Sequence, residues 1–156
     1  EKRVDLLRDE NGDIIQNFGS WNAEAFYFFD GSGNIAELIA RYDLDNESSA
    51  PFNHNSFVCM NEIGMPTTQI ESFNQQLESE LNSFFWKGNL ERFGTNGTQE
   101  ALFIIPNYKL KETWFPTDKK IETTPFNAII ENEGKTYQLN YKNEQLKIEK
   151  YELEVS

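Results

Sequence analysis

The chain has one cysteine and one histidine in 156 residues. A single cysteine, Cys59, excludes an intramolecular disulfide. Its neighbours Phe57, Val58 and Met60 are apolar, which predicts a buried thiol that packs as a small hydrophobe. His54 stands in a polar loop between Asn53 and Asn55, and one His with one Cys does not make the ligand set of a metal site. No metal, no cofactor and no catalytic residue are expected, because the chain also lacks a G-x-S-x-G elbow, a P-loop and a G-x-G-x-x-G turn. Long apolar runs are missing too. The longest is Ala101-Leu102-Phe103-Ile104-Ile105, far below the ~18 residues of a membrane-spanning helix. No membrane insertion is expected. The chain starts at Glu1 and not at Met, which implies that a signal peptide, a tag or an upstream domain was removed.

Cations are scarce in the first half. The net charge is −12, and residues 1–80 carry fifteen acidic and four basic side chains against eleven and ten in residues 81–156. From Asp9 to Glu80 the only Lys or Arg is Arg41, among thirteen acids. Phosphate backbones need clustered Lys and Arg, so nucleic acid is excluded as the expected ligand. Anionic membrane surfaces are disfavoured for the same reason. A basic protein partner is favoured, because opposite fields steer association.

What the chain does have is aromatic side chains, at 14%. They bury large areas and can build a core without disulfides or metal. The length fits a single domain over 1–156, with residues 1–18 as an N-terminal hairpin appendage. In that hairpin Val4 to Leu7 and Ile14 to Phe18 are strands around Asn11-Gly12, a strong turn signal. A second hairpin runs from Ala25 to Leu44 around Asp30-Gly31-Ser32-Gly33-Asn34. Phe57 to Ile63 reads as a strand. Ile70, Phe73, Leu77, Leu81 and Phe84 recur at helical spacing, predicting an amphipathic helix over about 67–86 that ends at Gly88. Residues 88–100 read as a loop with a turn at Gly94 to Gly97. Ala101 to Ile105, Tyr108 to Trp114, Phe126 to Glu131 and Tyr137 to Tyr141 read as strands. A last strand carries Leu146 and Ile148, then Tyr151, Leu153 and Val155 in the other phase, which predicts a bulge near Glu149-Lys150. The fold class is α+β: a mainly antiparallel sheet of about eight to ten strands with one helix on one face.

Four motifs are worth naming. Asp9-x-x-Gly12-Asp13-Ile14 and Asp30-x-x-Gly33-Asn34-Ile35 lie 21 residues apart. They resemble the turn of YD-type repeats, whose successive hairpins stack, although no third copy follows. Asp30-Gly31-Ser32-Gly33-Asn34 also resembles the start of a calcium loop, but Ile35 and Arg41 occupy the places of its glycine and its bidentate Glu, so it reads as a turn. Glu78-Ser79-Glu80 resembles the E-x-E pair of ADP-ribosyltransferases, but falls in the helix and not on a strand. Gly19-Ser20-Trp21 resembles the G-x-W that opens the first strand of lipocalin-like barrels. That resemblance implies a β-barrel as the alternative fold, with a small apolar ligand in a cavity lined by Trp21, Phe26, Phe28, Tyr42 and Phe103.

The expected function is a non-enzymatic acidic protein that works by protein–protein contact, such as an immunity or inhibitor protein against a basic toxin or nuclease. Asp43, Asp45, Glu47, Glu71 and Glu78 would meet the partner's cations, and Phe52 and Trp86 would anchor the centre. The compartment follows the function: cytoplasmic for an immunity protein, periplasmic or secreted if a signal peptide was removed. A lipocalin-like ligand carrier and a structural module of a larger secreted or cell-surface protein remain open alternatives.

Overall fold

In the computed structural model, residues 4–152 are described, and ten strands and one α-helix occur among them. In chain order they are β1 (Gln16–Phe18), β2 (Ala23–Phe29), β3 (Ile35–Arg41), β4 (Glu62–Gly64), α1 (Ile70–Leu81), β5 (Phe85–Gly88), β6 (Phe93–Thr98), β7 (Ala101–Pro106), β8 (Phe126–Asn132), β9 (Lys135–Lys142) and β10 (Gln145–Lys150). The protein is α+β and mostly sheet. Its strands form three separate sheets, β1-β2-β3, β10-β9-β8 and β4-β7-β6-β5, none of which closes on itself. The lipocalin-like alternative is thereby corrected: Gly19-Ser20-Trp21 forms a 3-10 turn between two strands of an open sheet.

The chain groups into two units. The first comprises residues 4–58 and 113–120, and the second residues 59–112 and 121–152.

In the first unit β2 is central. β3 pairs with it antiparallel from Phe29↔Ile35 to Ala23↔Arg41. Residues 4–18 do not form the expected free hairpin. Leu6 bridges Phe28, and β1 pairs with Ala23 to Ala25, so both arms lie antiparallel along the same edge of β2. The Asn11-Gly12 turn is an excursion within that edge. An isolated two-stranded hairpin is only marginally stable, and pairing with the edge of β2 gives both arms further backbone hydrogen bonds.

The second unit holds the core. Ile70, Phe73, Leu77 and Leu81 of α1 are buried with Phe103 and Ile105 of β7 and with Tyr137, Leu139, Tyr141 and Leu146 of β9 and β10. A fully buried residue of this kind contributes roughly 1.5–3 kcal/mol. α1 is shorter than predicted. Asn82 takes the left-handed conformation at φ 55°, and Ser83 N–H donates to Leu77 O, which closes the helix as a Schellman-type cap. Phe84 is therefore exposed outside the helix, and residues 85–88 are a strand.

The glycine-rich stretch predicted as a loop is strand β6. A side chain at Gly94 would come within 3.0 Å of Ile70 Cγ2, and one at Gly97, at φ 119°, within 2.2 Å of Ala101 O. These glycines mark close packing and not a turn. Phe57 to Ile63 is largely not a strand: only Glu62–Gly64 pairs, parallel to β7. Cys59 is exposed, against the expectation of burial, since its apolar neighbours are themselves exposed. Tyr108 to Trp114 is not a strand either, because Leu110 and Lys111 N–H both turn back onto Asn107 O. β10 keeps regular register with β9 through Lys150↔Tyr137, so no bulge occurs there; Leu153 and Val155 lie outside the described residues.

Candidate functional site

At the end of β3 the chain turns into a loop with three carboxylates, Asp43, Asp45 and Glu47, and no Lys or Arg after Arg41. Arg41 is buried, with its guanidinium carbon 5.6 Å from the Trp21 ring centroid. Asn22, left-handed at φ 46°, uses its carbonyl to accept from Tyr42 N–H at 2.9 Å. Its side-chain amide donates to Asp43 Oδ1 at 2.6 Å. Tyr42 OH donates to Glu24 Oε2 at 2.8 Å, and this carboxylate pushes the phenol pKa up. Leu44 N–H folds back onto Arg41 O, and Asn46 N–H onto Leu44 O. The result is an open concavity of about 480 Å³ lined by residues 40–47, with Asp43, Asp45 and Glu47 exposed. Among these residues the single cation, Arg41, is the one that is buried.

The loop continues into a short capped turn. Asn53 accepts from Asn55 N–H through its side chain, and Ser56 Oγ accepts from Asn53 N–H in return, a capping box around His54–Ser56. This turn brings Phe52 and Phe57 into an edge-to-face pair, centroids 5.5 Å apart. Both remain outside any core, at 73% and 55% exposure, and Val58 beside them is 74% exposed. Three of the expected contact residues and one aromatic anchor thus share one stretch, residues 42–58. His54 is exposed on the same turn.

The other expected residues lie in the second unit. Glu71 and Glu78 are exposed on α1, two turns apart. Trp86 is half-buried in β5, with Lys87 Nζ 4.5 Å from its ring centroid. The ligand-cavity set is divided as well. Phe26 and Phe28 are half-buried on one face of β2, Tyr42 is exposed, and Phe103 belongs to the core of the second unit.

The two turns singled out by their motif are built alike. In each, the first Asp accepts from two backbone N–H groups: Asn11 and Asp13 on Asp9, Ser32 and Asn34 on Asp30. In each, the Gly sits at positive φ and its carbonyl accepts from a cation at 2.6 Å, Arg8 on Gly12 and Lys119 on Gly33. Both carboxylates are held below the usual Asp range. The main cause is the bond from Asp13 N–H at Asp9, and the bonds from the Asn34 side chain and N–H at Asp30.

One cluster escaped sequence reading. Glu144, left-handed at the tip of the β9–β10 turn, accepts through Oε2 from Thr68 N–H at 2.7 Å and from the hydroxyls of Thr67 and Thr68. Its other oxygen accepts from Tyr108 OH, while Tyr141 OH donates to Pro66 O. Burial pushes the Glu144 pKa up, but the bonds from Tyr108, Thr68 and Thr67 outweigh it and hold the carboxyl below its ordinary value. With its acceptor sites taken, Glu144 pins the segment before α1 to the hairpin tip. The residues lie far apart in sequence and share no motif, so no pattern could have announced them. Among the described residues, no group of three or more His, Cys, Asp and Glu could hold a metal ion, and no helix is long and apolar enough to cross a membrane.

Compared with known proteins, the chain matches no family model and no curated protein.

Proposed function

We propose that the protein is a non-enzymatic binding protein that meets a basic protein partner through residues 42–58, in the manner of an immunity or inhibitor protein acting on a basic toxin or nuclease. The observation that carries this reading is the Phe52–Phe57 pair, exposed yet held in one geometry by a capped turn. An exposed aromatic pair offers apolar area that a partner can remove from water, and pre-ordering lowers the entropy lost on binding. Asp43, Asp45 and Glu47 stand just before it, so carboxylates steer and orient while the rings anchor.

The test is a binding titration against a panel of basic nucleases and toxins at low and high salt. Neutralising the loop with Asp43→Asn, Asp45→Asn and Glu47→Gln slows association and flattens the salt dependence. Phe52→Ala speeds dissociation with association little changed. An affinity indifferent to both salt and the charge-neutral variant would sink the reading.

A second reading, a structural module of a larger secreted or cell-surface protein, is supported by the matched turns at Asp9 and Asp30. It requires further copies of the turn at the same 21-residue spacing in the flanking gene sequence, and their absence removes it.

A further inference from the structure

The edges of the sheets differ in how they are protected. An open strand edge presents unpaired N–H and C=O groups, and proteins blunt such edges with charge, short length or irregularity. β1 and β4 are three residues long, and β5 breaks register between Phe85 and Gly88. β3 carries Glu37 and Arg41, and β10 carries Lys147, Glu149 and Lys150. β8 has the fewest of these devices. It runs seven residues in unbroken register with β9, and its only charge is Glu131. Among the described residues, no backbone hydrogen bond reaches it from its other side.

The register says which groups are open. Glu133 and Gly134, both at positive φ, make a two-residue type I′ turn that puts Asn132 opposite Lys135. The pair flanking such a turn exchanges both hydrogen bonds, and the pattern then alternates. Asn132, Ile130, Ala128 and Phe126 therefore bond to β9. Asn127, Ile129 and Glu131 direct their N–H and C=O groups outward, and their side chains lie on the exposed face, with Ile129 60% exposed.

We propose that this edge pairs antiparallel with β8 of a second copy of the chain, about a two-fold axis at Ile129. The self-complementarity of the strand selects that occupant. With Ile129 opposite Ile129, Asn127 of one copy faces Glu131 of the other. The sole charge then meets an amide donor instead of a like charge, and the exposed isoleucines cover each other. The inner row of Phe126, Ala128 and Ile130 already packs on the core, so pairing extends the three-stranded sheet into six strands without moving it.

The test is sedimentation of the whole protein over a concentration series that reaches the millimolar range. A concentration-dependent dimer is expected, and a monomer throughout overturns the proposal. Ile129→Lys places a like-charged pair on the axis and abolishes the dimer with an unchanged melting temperature. Should that variant fail to fold, Asn127→Glu places a like charge opposite Glu131 of the other copy and tests the same edge from a second exposed position. A dimer that survives either like-charge variant, once folded, overturns the proposal. In a Cys59→Ser background, a short thiol crosslinker joins two copies carrying Ile129→Cys but not two carrying Lys147→Cys on β10. Equal crosslinking at both positions also overturns it.

Discussion

The two units bury different things. In the second, the large apolar or aromatic side chains Leu77, Ile105, Leu139, Tyr141 and Met65 are fully buried, together with the polar Thr67, Thr95 and Asn96. In the first, the buried residues are Ala23, Ala25, Gln16 and Arg41. Its aromatics, Phe18, Tyr27 and Phe115, meet edge to face while each keeps some exposure. One unit is held by a conventional core. The other is held by strand pairing, by turns whose carboxylates and glycines are hydrogen-bonded in detail, and by aromatic contacts at its surface. Apolar area is the dominant stabilising term, so the first unit is expected to open more readily. The acidic loop and the exposed Phe52–Phe57 pair belong to that unit, consistent with binding segments being drawn from less stable regions.

The largest test of this contrast is Leu77→Ala. It leaves a cavity in the core of the second unit and should destabilise by about 2–5 kcal/mol in denaturant unfolding. A loss under about 1 kcal/mol would show that α1 is not central to stability.

Asn96→Ala comes next. Asn96 is fully buried, donates to Asn74 Oδ1 and Ser83 O, and accepts from Ser83 Oγ. Removing it leaves these groups unpaired and should cost about 1–3 kcal/mol. Asn96-Gly97-Thr98 has the N-x-S/T pattern of a glycan acceptor, and the same burial means that Asn96 cannot accept a glycan in the folded protein.

Glu144→Gln should cost roughly 1 kcal/mol at neutral pH, reduced by the partial exposure of the site. The sign of its pH dependence follows from the lowered folded pKa. The stabilisation is present above the unfolded value and is lost as pH falls through the folded one. The difference between wild type and variant should therefore begin to shrink below about pH 4.3, where the unfolded carboxyl protonates, and vanish once the folded carboxyl has protonated as well. A difference that persists in acid would mean that neutral contacts, not the carboxylate, hold the hairpin tip.

Asp30→Ala should act locally. Amide exchange at Ser32 and Asn34 should quicken while the amides of β9 keep their protection. Equal quickening in both units would show that they open together. Phe52→Ala should be the smallest in stability, within about 0.5 kcal/mol, because an exposed ring leaves no cavity; its effect belongs in binding.

Local pattern determined much of this protein. The hairpin turn at Asp30, the alternation in β9 and the apolar run of β7 were legible because turn chemistry and strand period are properties of neighbouring residues. So was the stripe of α1, and so were Asp43, Asp45, Glu47 and Phe52 as exposed candidates, since charge and composition mark loops. The misreadings share a cause: the presence or absence of a distant partner overruled a local signal. Gly94 and Gly97 look like turn residues, yet Ile70 and Ala101 make their lack of a side chain a packing requirement. Phe57 and Val58 look like a core strand, yet no partner strand pairs with them.

The tertiary structure alone decided three things. It brought Thr67, Thr68, Tyr108 and Glu144 together, laid residues 4–18 along β2, and left β8 as an open edge. Each depends on which surfaces found each other across the fold, and that is set by total buried area and hydrogen-bond satisfaction rather than by any short run of residues.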